Sequence, residues 1–232
     1  VYDRYTIFSS QEQLEKNFNT KSSVALTTTY NAAPTHLLPV ITSAAPEEIQ
    51  LFHWGLISQM ANNKAISPRL FNLPVGTAVQ RPMYRKSIEN SRCLILANGF
   101  YVWKQVSKKQ RVPYFCYFKE NAPFAIAGVW EEFDDLEGNT AYTFNMITVP
   151  ASGALSDYQD DMPALLSQAQ CDVWLDENAN IEKLQPLLSQ LNLSNLLMHA
   201  VSPLLAAPKN NGEQLIAPAA PSDQFGNYTL FS

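Results

Sequence analysis

"RCLILANGFYVWKQV", residues 92–106, places two β-rich runs on either side of an Asn98–Gly99 pair. Asn-Gly between apolar and aromatic stretches is a strong short-range hairpin signal, because both residues tolerate the positive φ that a two-residue turn needs. The spacing therefore predicts a hairpin here. Three more strand-like runs follow: "VPYFCYF" (112–118), "FAIAGVWEEF" (124–133) and "AYTFNMITV" (141–149), the last two joined across the acidic turn "DDLEGN". Upstream, "SVALTTTYNAAPTHLLPVIT" (23–42) reads as strand, proline turn, strand, and "EIQLFHWGL" (48–56) as a strand ending at Gly55. Residues 59–74, broken by prolines, read as irregular.

Helical spacing is confined to the flanks. "SQEQLEKNF" (10–18) has a serine cap and apolar Leu14 and Phe18 four apart, and "SQAQCDVWL" and "NIEKLQPLLSQL" repeat the pattern with Ser167 and Asn180 as caps. "LLMHAVSP" (196–203) returns to strand, and the Pro- and Ala-rich tail from 217 is expected to pack along the surface. Strands in the middle with helices around them make the class α+β, one domain over residues 1–232.

Composition narrows the function classes. With 46% hydrophobic and 16% charged residues the chain is ordinary for a soluble globular protein. No run of ~18 apolar residues is present, so no membrane helix is expected. The N-terminal stretch lacks a basic flank before an apolar run, which disfavours a signal peptide and suggests a cytoplasmic protein. Cys93, Cys116 and Cys171 are odd in number, far apart and set among apolar neighbours, so buried thiols are expected rather than disulfides. His36, His53 and His199 have no ligand spacing to them, and no metal or cofactor is expected.

Charge is segregated. Ten basic residues lie between Lys64 and Arg111 and only Glu89 opposes them, a local +9 within a chain of net charge −5. Lys64, Arg69, Arg81, Arg85, Lys86, Arg92, Lys104, Lys108, Lys109 and Arg111 would suit a phosphate-binding face, or would simply be solvated strand ends and turns. "LSDYQDDMPALL" (155–166) sets Asp157, Asp160 and Asp161 before an apolar run, which suits either a divalent cation or a hydrated turn. Nothing else in the sequence supplies a metal-ligand pattern.

Eight segments in order resemble the SOS-response-associated peptidase (SRAP) family, which processes abasic sites in single-stranded DNA. They are "RYTIFSS", "YNAAPTHLLPVI", "HWGLI", "RCLILANGFYVWK", "PFAIAGVWEEF", "FNMITVPASGALSDYQDDMPALL", "WL" and "HAVSPLLAAPKNNGEQLIAP", together nearly the whole chain. The resemblance implies a monomeric SRAP-like domain with a bifurcated, partly barrel-like, mostly antiparallel sheet, flanked by helices and bearing a positive channel. It also implies a chemistry. A cysteine after the initiator methionine offers an α-amine and a thiol, which together close a thiazolidine on the ring-opened aldehyde of an abasic sugar. An Asn, a Glu and a His position the sugar and move protons.

At those positions this chain departs from the family. Val1 or Tyr2 stands at the cysteine, Ser67 at the Asn, Val102 at the Glu of "GFYEW", and Gln159 at the His of "HDRMP". Phe71 and Asp161 replace a further Glu and Arg, whereas Arg4, Arg69, Asp160, Met162 and Pro163 match. A glutamine can hydrogen-bond but cannot shuttle a proton near neutral pH. The reading is a member that binds single-stranded or abasic DNA without cross-linking it. Arg4, Arg69, Arg85 and Arg92 would contact phosphate, and Pro34, Met83 and Trp54 would wedge against bases. Reversible imine chemistry through an N-terminal amine, and a protein-interaction module that has left DNA, are the alternatives.

Overall fold

A computed structural model describes residues 3–55, 71–134, 138–189 and 193–228, together with the backbone but not the side chain of Met83. In chain order the first half contains β1 (Tyr5–Ile7), α1 (Gln11–Phe18), β2 (Thr29–Ala32), β3 (Leu37–Thr42), β4 (Ala45–Trp54), β5 (Asn72–Pro74), α2 (Val75–Gln80), α3 (Pro82–Asn90) and β6 (Arg92–Ala97). Then come β7 (Gly99–Gln105), β8 (Arg111–Phe118), β9 (Phe124–Asp134), β10 (Thr140–Pro150), β11 (Asp161–Pro163), β12 (Leu165–Leu166), α4 (Gln168–Leu175), α5 (Ile181–Leu184) and β13 (Leu196–Ala200).

Two sheets share the strands. The first runs β13-β8-β7-β1-β2 and is antiparallel throughout. The second closes on itself: β10 pairs with β4, β4 with β3, β3 with β6, β6 with β9, and β9 again with β10. That ring is a five-strand barrel, parallel only where β4 meets β10. Closure removes the free edges on which an open sheet would pair with other chains. All six residues of β6 are buried, which is why the five after Arg92 read as an unbroken apolar run instead of an alternating one.

The predicted hairpin at residues 92–106 is not one. β6 pairs only with barrel strands and β7 only with β1 and β8, so the chain crosses from one sheet to the other at Asn98. The buried Asn98 side chain acts as a polar pivot. Its oxygen accepts from the Phe8 and Ser9 amides at 2.8 and 2.9 Å, and its nitrogen donates to Ser9 Oγ at 2.7 Å and the Asn121 carbonyl at 2.8 Å. A Cβ on Gly99 would lie 2.2 Å from the Phe115 ring and 2.8 Å from the Cys116 carbonyl oxygen. The pair is there for satisfaction and close approach, not for a turn.

The caps fall where the sequence places them. Ser10 and Gln13 exchange hydrogen bonds in a capping box on α1, Ser167 and Gln170 do the same on α4, and the Asn180 side chain accepts from Lys183 N on α5. Residues 75–90, to which the sequence reading assigns no element, form α2 and α3, the latter with Pro82 at its first turn and with Tyr84 and Ile88, four apart, buried. All three cysteines are free and buried. Among the described residues no helix is long and apolar enough to cross a membrane.

Candidate functional site

β1 lies antiparallel to β7, with Tyr5 opposite Phe100 and the Tyr101 amide donating to the Arg4 carbonyl at 3.2 Å. The start of the described chain therefore runs beside Tyr101–Trp103. Across the other edge of β7, Val102 pairs with Tyr114, whose ring meets that of Tyr158 edge-on at 4.9 Å. The Lys104 ammonium sits over the Tyr158 ring, 5.1 Å from its centre. Two distant segments, the β7–β8 hairpin and the loop before β11, thus meet in one cleft of about 530 Å³. Trp103 and Arg111 line it from the hairpin, and Asp157, Tyr158, Gln159, Asp160 and Asp161 from the loop.

Val102 itself is wholly buried. A carboxylate in its place would have to be held against a large desolvation cost, and valine removes both that cost and the proton. Gln159 stays at the cleft, and its Oε1 is shielded from solvent and accepts no hydrogen bond from the protein. The three aspartates do not build a metal centre: among the described residues no three His, Cys, Asp or Glu side chains are disposed to hold a metal ion. The loop closes as a turn, the Ala151 amide donating to the Asp160 carbonyl at 2.8 Å.

Arg4 is largely buried, its side chain only 12% exposed. It pairs with Asp3 at 3.3 Å, while its Nε has no partner. His36 lies close enough to feel it: burial first, and the Arg4 charge second, hold the imidazole below its ordinary pKa and hence neutral at pH 7. His36 belongs to the turn between β2 and β3 that carries the half-buried Pro34. That turn is tied to the end of β4, since Thr35 N donates to the Trp54 carbonyl at 2.8 Å and Trp54 N to the His36 carbonyl at 3.0 Å.

Two residues read from the sequence as DNA contacts are structural. Trp54 is fully buried, donates from Nε1 to the Phe71 carbonyl at 2.9 Å, and packs against Tyr5 and Phe144, so it has no face to offer a base. Arg92 is also fully buried. It donates to the Ile88 and Glu89 carbonyls near the end of α3 and to the Trp174 and Asp176 carbonyls at the end of α4, all at 2.6–2.7 Å. The guanidinium thereby satisfies acceptors that helix ends leave open, and it is not available to phosphate.

The remaining basic residues divide. Arg85 is exposed on α3 and forms an ion pair with Glu89 at 3.2 Å, beside exposed Arg81 and Lys86. Lys108, Lys109 and Arg111 are exposed on the β7–β8 hairpin, in the other sheet. Val1, Tyr2, Lys64, Ser67, Arg69 and the Met83 side chain lie outside the described residues. Tyr114, Tyr158 and His36 were not singled out by sequence. The register of β7 on β8 sets Tyr114 against Tyr158, and of these two Tyr158 lines the cleft.

Comparison with known proteins assigns the class. The family model "SOS response associated peptidase (SRAP)" matches residues 3–208, so the chain belongs to that family. The chain is 31% identical over 218 residues to the abasic site processing protein YoqW of Bacillus subtilis, covering 92% of this chain and 97% of that one. It is 25% identical to the abasic site processing protein HMCES of Rattus norvegicus over 82% of this chain and 65% of the relative. A crystal structure from Bacteroides thetaiotaomicron superposes with a TM-score of 0.80 at 22% identity, over 93% of this chain and 99% of that one.

Proposed function

We propose that this chain binds single-stranded or abasic DNA at the cleft between the β7–β8 hairpin and the 155–161 loop, and that it does not form the family's thiazolidine cross-link. The observation that carries the reading is the meeting, at one cleft, of the hairpin whose first strand holds Val102 and the loop that holds Gln159. These positions are scattered in sequence, align with the family's reactive groups, and retain none of its titratable side chains. Trp103 and Tyr158 offer aromatic surface to unstacked bases, and Arg111 offers a phosphate contact on the hairpin side of the cleft, opposite the loop that carries Asp157, Asp160 and Asp161. Burial raises the pKa of Cys93 and Cys116 far above the ordinary thiol range and that of Cys171 to about 12, so none of these three supplies a thiolate to close a ring.

The test has two readouts. Titration of the full chain with a labelled oligonucleotide, intact or abasic, should show binding that weakens as salt rises. Incubation with the abasic strand followed by denaturing electrophoresis should show no covalent band. Absence of binding at low salt would sink the DNA assignment. A covalent band without reductant would sink the loss of chemistry, and one that needs borohydride would mark an imine instead.

A further inference from the structure

Residues 209–228 lie beyond the family match, and their last described turn is built onto the tip of the β7–β8 hairpin. The Gln224 side chain accepts from Arg111 N at 2.7 Å and donates to the Lys109 carbonyl at 2.6 Å, while Gln224 N donates to the Arg111 carbonyl at 3.1 Å. Asp223, itself buried, organises the turn. Its carboxylate accepts from the Phe225 and Asn227 amides at 3.0 and 2.8 Å, from Asn227 Nδ2 at 3.1 Å and from Gln110 Nε2 at 2.7 Å. Gly226 at φ +85° lets the chain reverse, and Ser222 bridges Tyr228.

This framework holds two rings out in water. Phe225 is 71% exposed and Tyr228 79%, the largest exposures among the large apolar side chains of the described residues. A rigid turn that presents aromatic rings beside cations differs from a loose tail. The neighbours are Lys108, Lys109 and Arg111, all exposed, and Arg111 also lines the cleft. Flat rings interleaved with cations suit a polynucleotide with free bases: the rings stack, the cations follow the phosphates, and no base identity is required. A purely apolar protein partner would leave three cations to be desolvated without partners.

We infer that the 223–228 turn and the hairpin tip form a stacking platform for single-stranded DNA, taking the bases next along the strand from those in the cleft. The inference rests on the reading that the cleft binds DNA. It adds a footprint, outside the family's matched region, that only a strand long enough to pass Arg111 can reach.

The experiment uses the full chain with two labelled oligo-dT strands, one of about six nucleotides and one of about twenty. The Phe225→Ala/Tyr228→Ala double variant should bind the long strand at least about tenfold more weakly than the parent and the short strand equally well. Both rings are exposed, so its melting temperature should not move. A Phe225→Trp variant should keep its affinity, and the long strand should quench more of its fluorescence than of the parent's, whereas the short strand, which reaches only Trp103, should quench both alike. Unchanged long-strand affinity in the double variant, or long-strand quenching no greater than the parent's, overturns the platform while leaving the cleft reading standing. If the parent protein binds neither strand, the cleft reading fails and the platform with it.

Discussion

Replacement of Arg92 by methionine separates a structural cation from a DNA contact. The side chain donates four hydrogen bonds of 2.6–2.7 Å, two to carbonyls in buried surroundings and two to partly buried ones. Methionine matches the length and apolar stem but donates nothing. The two partly buried carbonyls can take up water, whereas the two buried ones lose their donor at ~1–3 kcal/mol each. Relief from burying a charge offsets part of this, and a net loss of ~3 kcal/mol is expected. For a chain of this size that lowers the melting temperature by roughly 6–12 °C. Arg92→Lys should fall between, because one ammonium cannot span carbonyls from two helices as a planar fork does. Thermal unfolding by circular dichroism measures the loss, and oligonucleotide titration well below the transition measures the contact. A variant that melts within about 2 °C of the parent yet loses DNA affinity would refute the argument.

Gly99→Ala should cost ~1–3 kcal/mol in denaturant unfolding, since its Cβ meets both a ring and the Cys116 backbone oxygen, which cannot rotate away. A thiol reagent at pH 8 should label none of the three cysteines in the native protein and all of them in denaturant. Burial opposes ionisation of Asp223, but hydrogen bonds from Asn227, Gln110 and Phe225 outweigh it and hold its pKa below the ordinary carboxylate value. The turn's stabilisation is therefore complete above the unfolded carboxylate's pKa of ~3.9 and is lost as pH falls through the lower folded value. Amide shifts of Phe225 and Asn227 should stay constant down to pH 5 and move only in more acid solution, and Asp223→Asn should abolish that transition.

The sequence carried the elements further than their arrangement. Capped helices at 11–18 and 168–175 and the strand runs of β8 to β10 are local facts, written in side-chain period and caps, and they are found in place. Asn98–Gly99 misleads because a turn and a sheet-to-sheet crossing use the same two residues for different reasons, and only the partners of β6 and β7 distinguish them. Helix α2 is short and holds two valines, a threonine and a glycine, so tertiary packing sets it, whereas α3 carries Tyr84 and Ile88 at helical spacing but lacks the side-chain cap that marks α1 and α4. Trp54 and Arg92 show the same limit at the site. A tryptophan and an arginine look identical in sequence whether they face solvent or close a core.

The run of ten cations makes the point quantitative. Linear charge density suggests one basic face, but the fold uses Arg92 to close helix ends, puts Arg81 at the start of α3 with Arg85 and Lys86 along it, and exposes Lys108, Lys109 and Arg111 on a hairpin of the other sheet. Among the described cations, the hairpin set adjoins the cleft through Arg111, and Lys104 reaches it over the Tyr158 ring. Each phosphate neutralised on a single strand contributes about −0.7 to the slope of log affinity against log salt. Reversing the three hairpin charges to glutamate should therefore flatten the slope by about 2 and weaken binding at low salt. The same reversal on α3 should leave the slope as it was, because those cations lie off the proposed strand path. If the α3 set flattens the slope and the hairpin set does not, the strand crosses the barrel and the cleft is not its track.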